Sequence, residues 1–312
     1  MTIGVTGPRG LIGTALVRHL TNRQAGPLRL LVRNPAAGLG ETFPGADVVR
    51  GDLMSVKDCE VFADGLSVIF YLAHRNTPVT SDLDLPNDAL VNLVPLLNLI
   101  QAVRSAGTKP HIVYFSSGGA IYGRRRAPVP FVETDACAPS SSYGIQKLAA
   151  EHYLRLGADR GLLTTTILRV GNAYGTLLPP ERMQGLVGVA LNNALQSRPV
   201  TVFGNPGNVR DYVHLDDICA IAERAMTPLA ECSIFNVGTQ KGYSVTEVLA
   251  VIERCTGARV TCEYPANRVV GEWLPDWCVL DIRRARELLQ WTPTVDLADG
   301  IARMLPESRQ SS

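Results

Sequence analysis

Over the first half of the chain, short continuous apolar runs alternate with stretches in which apolar residues recur every three or four positions. The runs at Ile3–Thr6, Leu28–Val32, 68–72, 111–115 and Thr164–Val170 are of strand length and rich in β-branched and aromatic residues. Leu28–Val32, 68–72 and 111–115 predict strands buried on both faces of a parallel sheet, Ile3–Thr6 a short β-rich first strand, and Thr164–Val170 a late strand. Leu16, Val17 and Leu20 predict a helix over 14–20. Another is predicted from about Asp88 to Ala106, stopped by Gly107. Ser244-Val245-Thr246-Glu247 is a capping box opening a helix through Val248, Leu249 and Ile252, and Asp281 is expected to cap one through Leu288 and Leu289.

Strands alternating with helices imply βαβ units with right-handed crossovers. The first such unit carries Gly7-Pro8-Arg9-Gly10-Leu11-Ile12-Gly13 between its strand and its helix. Glycines at that spacing let the backbone turn sharply and approach a pyrophosphate, which rests against the helix-terminal amides, including those of Leu11 and Ile12. The expected fold is therefore α/β: a Rossmann doubly wound parallel sheet over residues 1–170. A smaller C-terminal substrate-binding lobe follows over 171–312, partly interleaved with it, where proline and glycine rise as in Pro179-Pro180 and Gly204-Asn205-Pro206-Gly207. The second strand runs out into Arg33, where a carboxylate would accept from the ribose of NAD and an arginine would meet the 2′-phosphate of NADP. With Arg9 on the same side, the charges favour NADP over NAD.

Tyr143 and Lys147, four residues apart on a predicted helix, lie one turn above the other. A phenol titrates near 10 and is a poor base at neutral pH, but a neighbouring ammonium is expected to lower that value and let Tyr143 shuttle a proton.

Composition changes this picture only by exclusion. A net charge of +1 and 46% hydrophobic residues over 312 positions give no basic or acidic surplus that would point to nucleic acid or a membrane surface. The longest apolar run, from Val91 to Ile100, contains Asn92, Pro95 and Asn98 and is too short to span a bilayer. The seven cysteines (Cys59, Cys137, Cys219, Cys232, Cys255, Cys262 and Cys278) form no pair or cluster at metal-ligand spacing, so no metal is expected and the thiols read as reduced and mostly buried. The N-terminus runs straight into a strand without a leader-like segment, so the expected location is cytoplasmic.

The glycine turn together with Tyr143-Gly144-Ile145-Gln146-Lys147 resembles the extended short-chain dehydrogenase/reductase family. The likeness runs over nearly the whole chain. It implies a catalytic tetrad of Asn92, Ser117, Tyr143 and Lys147, and further cofactor contacts at Asp52 and Leu53, at Leu72, Ala73 and His74, at Asn92, and at Ser116 and Val170. Within the family, the second half is most similar to the nucleotide-sugar epimerase/dehydratase type, in particular the UDP-galactose (UDP-glucose) 4-epimerase branch. In that branch Asn172, in Leu168-Arg169-Val170-Gly171-Asn172, and Arg210, before Asp211-Tyr212-Val213-His214, would contact the diphosphate. A planar guanidinium suits that role; a structural Arg210–Asp211 ion pair is the alternative. Arg268 is a weaker candidate for the same group, and Gly118 would line the sugar.

In one place the chain departs from the family. The usual hydroxyl position falls on Gly118, so Ser117, one residue early, is expected to take that role, with Ser116 in reserve. The acid pair of the 4,6-dehydratases is missing here, which disfavours dehydration. The resemblance implies an NAD(P)-dependent nucleotide-sugar epimerase working by reversible hydride transfer at C4. The same residues also serve an NADPH-dependent 4-keto sugar reductase, and a non-catalytic dinucleotide sensor is a third reading. Relatives pair through the helices near 88–106 and 142–160, which implies a homodimer.

Overall fold

β1 (Ile3–Thr6), buried at every position, lies inside a seven-stranded sheet of order β10-β6-β5-β4-β1-β2-β3. Its other members are β2 (Leu28–Val32), β3 (Asp47–Arg50), β4 (Val68–Tyr71), β5 (His111–Ser117), β6 (Thr164–Val170) and β10 (Cys232–Val237). β1 pairs in parallel with β2 and β4, β2 with β3, and β4 with β5. The order reverses between β1 and β4, and in a doubly wound sheet ligands bind beyond the C-terminal strand ends at that switch point. The computed structural model describes residues 1–34, 43–77, 80–124, 128–264 and 275–306.

The helix expected from Asp88 to Ala106 is two helices, Leu85–Asn92 and Val94–Ala106. Pro95 lies in the first turn of the second and has no amide with which to continue the first. Gly107 ends it at φ 65, a left-handed conformation that costs glycine little. Leu96, Leu99, Ala102 and Val103 join Ile69, Tyr71, Ile112 and Tyr114 in one apolar cluster. Ala150, Leu154 and Ala158 of the helix Ser142–Asp159 belong to it too, which fixes that helix against the sheet.

The chain forms two compact units. The first comprises Met1–Ser117, Ser142–Arg169 and Cys219–Phe235, and the second Gly118–Ser141, Val170–Ile218 and Asn236–Ser312. The second unit is built on β9 (Val209–His214), antiparallel to β11 (Gly242–Ser244) and parallel to β7 (Asn172–Tyr174) and β13 (Trp277–Cys278). Its core gathers Tyr174, Leu191, Tyr212, Val248, Ile252 and Ile301. The capping box forms: Ser244 Oγ accepts from Glu247 N at 3.2 Å, and Glu247 Oε2 accepts from Ser244 N at 2.7 Å. At the helix Arg283–Leu289 the cap position is Ile282 rather than Asp281, whose carboxylate instead accepts from the Arg283 amide at 2.8 Å. All seven thiols are free, but only Cys59, Cys219 and Cys278 are buried, fewer than expected, because the other four lie on partly exposed faces.

Candidate active site

Gly7 turns the chain at φ 68, and a Cβ there would come within 2.9 Å of the Ala73 amide. A Cβ on Gly13 would collide with the Gly7 carbonyl oxygen. Gly10 is different. Its φ of −71 suits any residue, and the nearest protein atom to an added Cβ is 3.4 Å away. Among the described residues nothing demands glycine at Gly10, whereas close approach by a pyrophosphate does. The helix Leu11–Asn22 starts at Gly10 with no side-chain cap and no acid in its first turn, leaving first-turn amides, those of Leu11 and Ile12 among them, to an anion. These features fit a dinucleotide.

The neighbouring strand end is held by Thr6, a fully buried residue that the sequence reading passed over. Its Oγ1 accepts from the Leu72 and Ala73 amides at 3.2 and 3.3 Å. Arg9 and Arg33 are exposed beyond the ends of β1 and β2, adjacent strands in parallel register. Asp52 follows β3, and its Oδ1 accepts from the Met54 amide at 3.0 Å; Leu53 is buried.

The helix Ser142–Asp159 and the end of β5 bring the predicted catalytic groups together. Tyr143 is partly exposed and hydrogen-bonded to Ser117, so Ser117 does reach the phenol from its early position. Lys147 is buried, donates to the Phe115 carbonyl at 2.8 Å, and lies 5.7 Å from the Tyr143 ring centroid. One expectation is corrected. Lys147 does not lower the phenol in the protein alone, because desolvation dominates: it pushes Tyr143 up to about 12, opposed only by the Ser117 hydrogen bond, and pulls Lys147 down to about 8 against the charge of Glu151. The ring of His74 stands edge-on to Tyr143, centroids 4.9 Å apart. Its Nε2 is buried without a hydrogen-bond partner among the described residues, and desolvation, then the charge of Lys147, holds its pKa well below the ordinary value.

Two buried networks support these groups. Asp88, fully buried, accepts at Oδ1 from Asn76 and Asn92 (2.7 and 2.8 Å) and at Oδ2 from Ser142 (2.5 Å). Asn92 Oδ1 accepts from the Arg75 amide at 2.7 Å, so its side chain braces the loop after β4 rather than touching Tyr143 or Lys147. In the second network Ser116 donates to Glu151 Oε1 at 2.5 Å, which turns its hydroxyl away from the phenol and removes it as the reserve. Glu151 also takes the fork of Arg169, at 2.7 Å from Nη2. Asp88 and Glu151 were missed in the sequence. Glu151 had a visible signal, since it repeats the four-residue step from Tyr143 to Lys147.

In the second unit, Asn172 opens β7 and Gly118 opens the short helix Gly118–Ile121, while Val170 is buried. Arg210 is buried on β9 and donates to the Val209 carbonyl at 2.8 Å. The alternative Arg210–Asp211 ion pair does not form. The Asp211 carboxylate accepts instead from Thr239, Gln240 and Leu280, and among the described residues no carboxylate pairs with Arg210. Arg268 lies outside the described residues.

Residues 3–238 match the NAD dependent epimerase/dehydratase family. A UDP-glucose 4-epimerase of Mycolicibacterium smegmatis is 33% identical over 99% of this chain and 98% of its own. A dTDP-4-dehydro-6-deoxyglucose reductase of Escherichia coli is 26% identical over 98% and 96%. The crystal structure of a Thermus thermophilus UDP-glucose 4-epimerase in complex with NAD superposes with a TM-score of 0.86, at 30% identity and over 97% of both chains. With a glycine turn built for a dinucleotide at the switch point of a doubly wound sheet and a Tyr-Lys pair tied to the end of β5 nearby, the chain belongs to the NAD dependent epimerase/dehydratase family.

Proposed function

We propose that the protein is a nucleotide-sugar epimerase that inverts C4 of a nucleoside-diphosphate hexose by removing a hydride and returning it to the opposite face. The observation that carries this reading is the grouping of Tyr143, Ser117 and Lys147 at the sheet end that also bears the glycine turn. A nicotinamide dinucleotide, when bound, supplies a reversible hydride acceptor. Gly7, Gly10, Gly13 and the amides of Leu11 and Ile12 would hold its pyrophosphate, and Leu72, Ala73, Asp52 and Leu53 would line its path.

Tyr143 moves the proton at the sugar 4-hydroxyl, and Ser117 orients the phenol. Lys147 has one N–H fixed by Phe115 and two left for ribose hydroxyls. Its charge, with that of an oxidised nicotinamide when one is bound, would offset the desolvation that keeps the phenol protonated in the protein alone. Asn172 and Arg210 hold the diphosphate. This role accounts for a buried guanidinium that no carboxylate claims among the described residues.

The test is to incubate the purified protein with UDP-glucose or UDP-galactose without added cofactor and to follow the sugars by NMR. Interconversion supports the epimerase. No interconversion of any nucleotide hexose, even with NAD supplied and bound, sinks it. A second reading, an NADPH-dependent 4-keto sugar reductase, is favoured by Arg9 and Arg33, which have no ion-pair partner among the described residues, and by the likeness to the Escherichia coli reductase. NADPH oxidation in step with loss of a nucleotide-linked 4-ketone would select it.

The protein is further proposed to form a homodimer. Leu85 and Leu90 on the helix Leu85–Asn92, and Ile145, Tyr153 and Leu156 on the helix Ser142–Asp159, are all large apolar side chains left exposed. Sedimentation giving a dimer mass that falls to a monomer in Leu90→Glu/Ile145→Glu supports this. Free thiols at all seven cysteines fit a reducing, cytoplasmic compartment.

A further inference from the structure

Three consecutive residues at the end of β5 are each tethered to one of three residues spaced four apart on the helix Ser142–Asp159. Phe115 accepts from Lys147 at 2.8 Å, Ser116 donates to Glu151 at 2.5 Å, and Ser117 is bonded to Tyr143. The catalytic pair thus continues one turn deeper, to Glu151. There the column is closed by Arg169, whose Nη2 is 2.7 Å from Oε2 and whose Nε is 3.2 Å from both carboxylate oxygens. Glu151 and Arg169 have side chains only 4% and 5% exposed. A buried ion pair is weak evidence for stability, since apolar side chains of like volume often serve as well. This one lies against Lys147.

We propose that Glu151, held by the Arg169 fork, is a positioning residue for proton transfer at Tyr143: it sets the register of the β5 end against the helix and supplies the negative charge that keeps Lys147 an ammonium. The role rests on the redox reading of Tyr143 and Lys147. Among the described residues, the groups that face Lys147 are Tyr143 and Glu151 on its own helix, Tyr114 on β5 with its ring centroid 5.0 Å from Nζ, His74 after β4, and Arg169 on β6 behind Glu151. Glu151 is the one acid among them. Burial works against the ammonium, and Glu151 is the influence that opposes it.

The chain has four lysines, Lys57, Lys109, Lys147 and Lys241, so 13C-labelled lysine gives few enough signals to follow Lys147 directly, assigned by its loss in Lys147→Arg. In Glu151→Gln the Lys147 midpoint is expected to fall by about one pH unit relative to wild type. Should the lone Arg169 left behind prevent folding, the double variant Glu151→Met/Arg169→Met removes both buried charges, and the midpoint is again expected to fall, by less. A midpoint unmoved in whichever variant folds overturns the proposal.

Turnover gives a second readout. Glu151→Gln is expected to lower kcat about tenfold or more with KM for the nucleotide sugar within about twofold. Ser116→Ala, which breaks one tether and keeps the charge, should lower kcat with the Lys147 midpoint unchanged. Unchanged kcat in both variants overturns the positioning role. The titration needs no substrate, so it judges the charge role even if no nucleotide sugar proves to be turned over by the wild type.

Discussion

A phenol pushed up to about 12 is protonated at neutral pH, so in the protein alone Tyr143 is set to give a proton rather than to take one. To act as the base it needs positive charge nearby, and Lys147 alone does not suffice, because its own ammonium is desolvated and directed at the Phe115 carbonyl. Replacing Tyr143 by Phe removes the transferable proton while keeping the ring that packs edge-on against His74. We expect kcat to fall by about 10²–10⁴-fold with dinucleotide affinity within twofold, measured by turnover and by titration calorimetry. Unchanged behaviour in every assay would instead support a sensor. Ser117→Ala deletes the one hydrogen bond that pulls the phenol down. Its kcat should drop about tenfold or more, and the pH at which half-maximal kcat is reached should move upward.

At the scale of elements, the glycine turn separates two reasons for glycine that a spacing alone cannot. Gly13 is enforced by the fold, since a Cβ there meets the Gly7 carbonyl; Gly10 is not, since its φ is ordinary and its nearest neighbour stands 3.4 Å from an added Cβ. Gly13→Ala is therefore expected to lower stability by about 1–3 kcal/mol and weaken dinucleotide binding. Gly10→Ala should leave the melting temperature of the cofactor-free protein unchanged and weaken binding about tenfold or more. Thermal melts and calorimetry on the two variants check this, and equal melting temperatures in them would refute the distinction.

The turn itself was legible because strand, glycines and helix are contiguous. So were β1, β2 and β6, whose short β-rich runs are almost wholly buried even with Arg29 and Arg169 among them, and the capping box at Ser244. The helix break at Pro95 was misread because a proline in a helix's first turn is compatible with either one helix or two. Asp88 was not legible as part of the site, and for Glu151 only the four-residue step from Lys147 was: their partners Asn76, Ser142, Ser116 and Arg169 are brought to them by tertiary packing, which no local pattern encodes. The fate of Asp211 was equally hidden, since its donors come from Thr239, Gln240 and Leu280, far along the chain.

On the scale of the whole molecule, His74, His111 and His214 share one property: desolvation lowers the pKa of each below the ordinary 6.5. In the unfolded chain each takes up a proton near that value, while in the folded protein each stays neutral to lower pH. Between pH 6.5 and the depressed folded values the unfolded state therefore binds more protons, and stability falls as pH falls, by up to about 1.4 kcal/mol per pH unit for each group. The raised carboxyls of Asp211 and Glu133 act in the opposite sense, so one histidine must be isolated to read the effect.

His111 is the suitable choice because it lies away from the glycine turn and Tyr143. Its Nε2 meets the Ala225 carbonyl at 2.9 Å and its Nδ1 meets Thr164 Oγ1 at 2.8 Å. A carbonyl can only accept, so Nε2 carries the proton and Nδ1 accepts from the threonine hydroxyl, which fixes the neutral tautomer. Acid must reverse that Nδ1 bond, turning the threonine hydroxyl so that its oxygen accepts, as well as charge a buried ring. The melting temperature is expected to fall on going from pH 7.5 to pH 5.5. His111→Gln, which forgoes the titration, should be less stable at pH 7.5 by about 1–3 kcal/mol yet lose less on acidification. Denaturant melts at the two pH values measure both quantities, and a slope in His111→Gln as steep as that of the wild type would remove this histidine from the account.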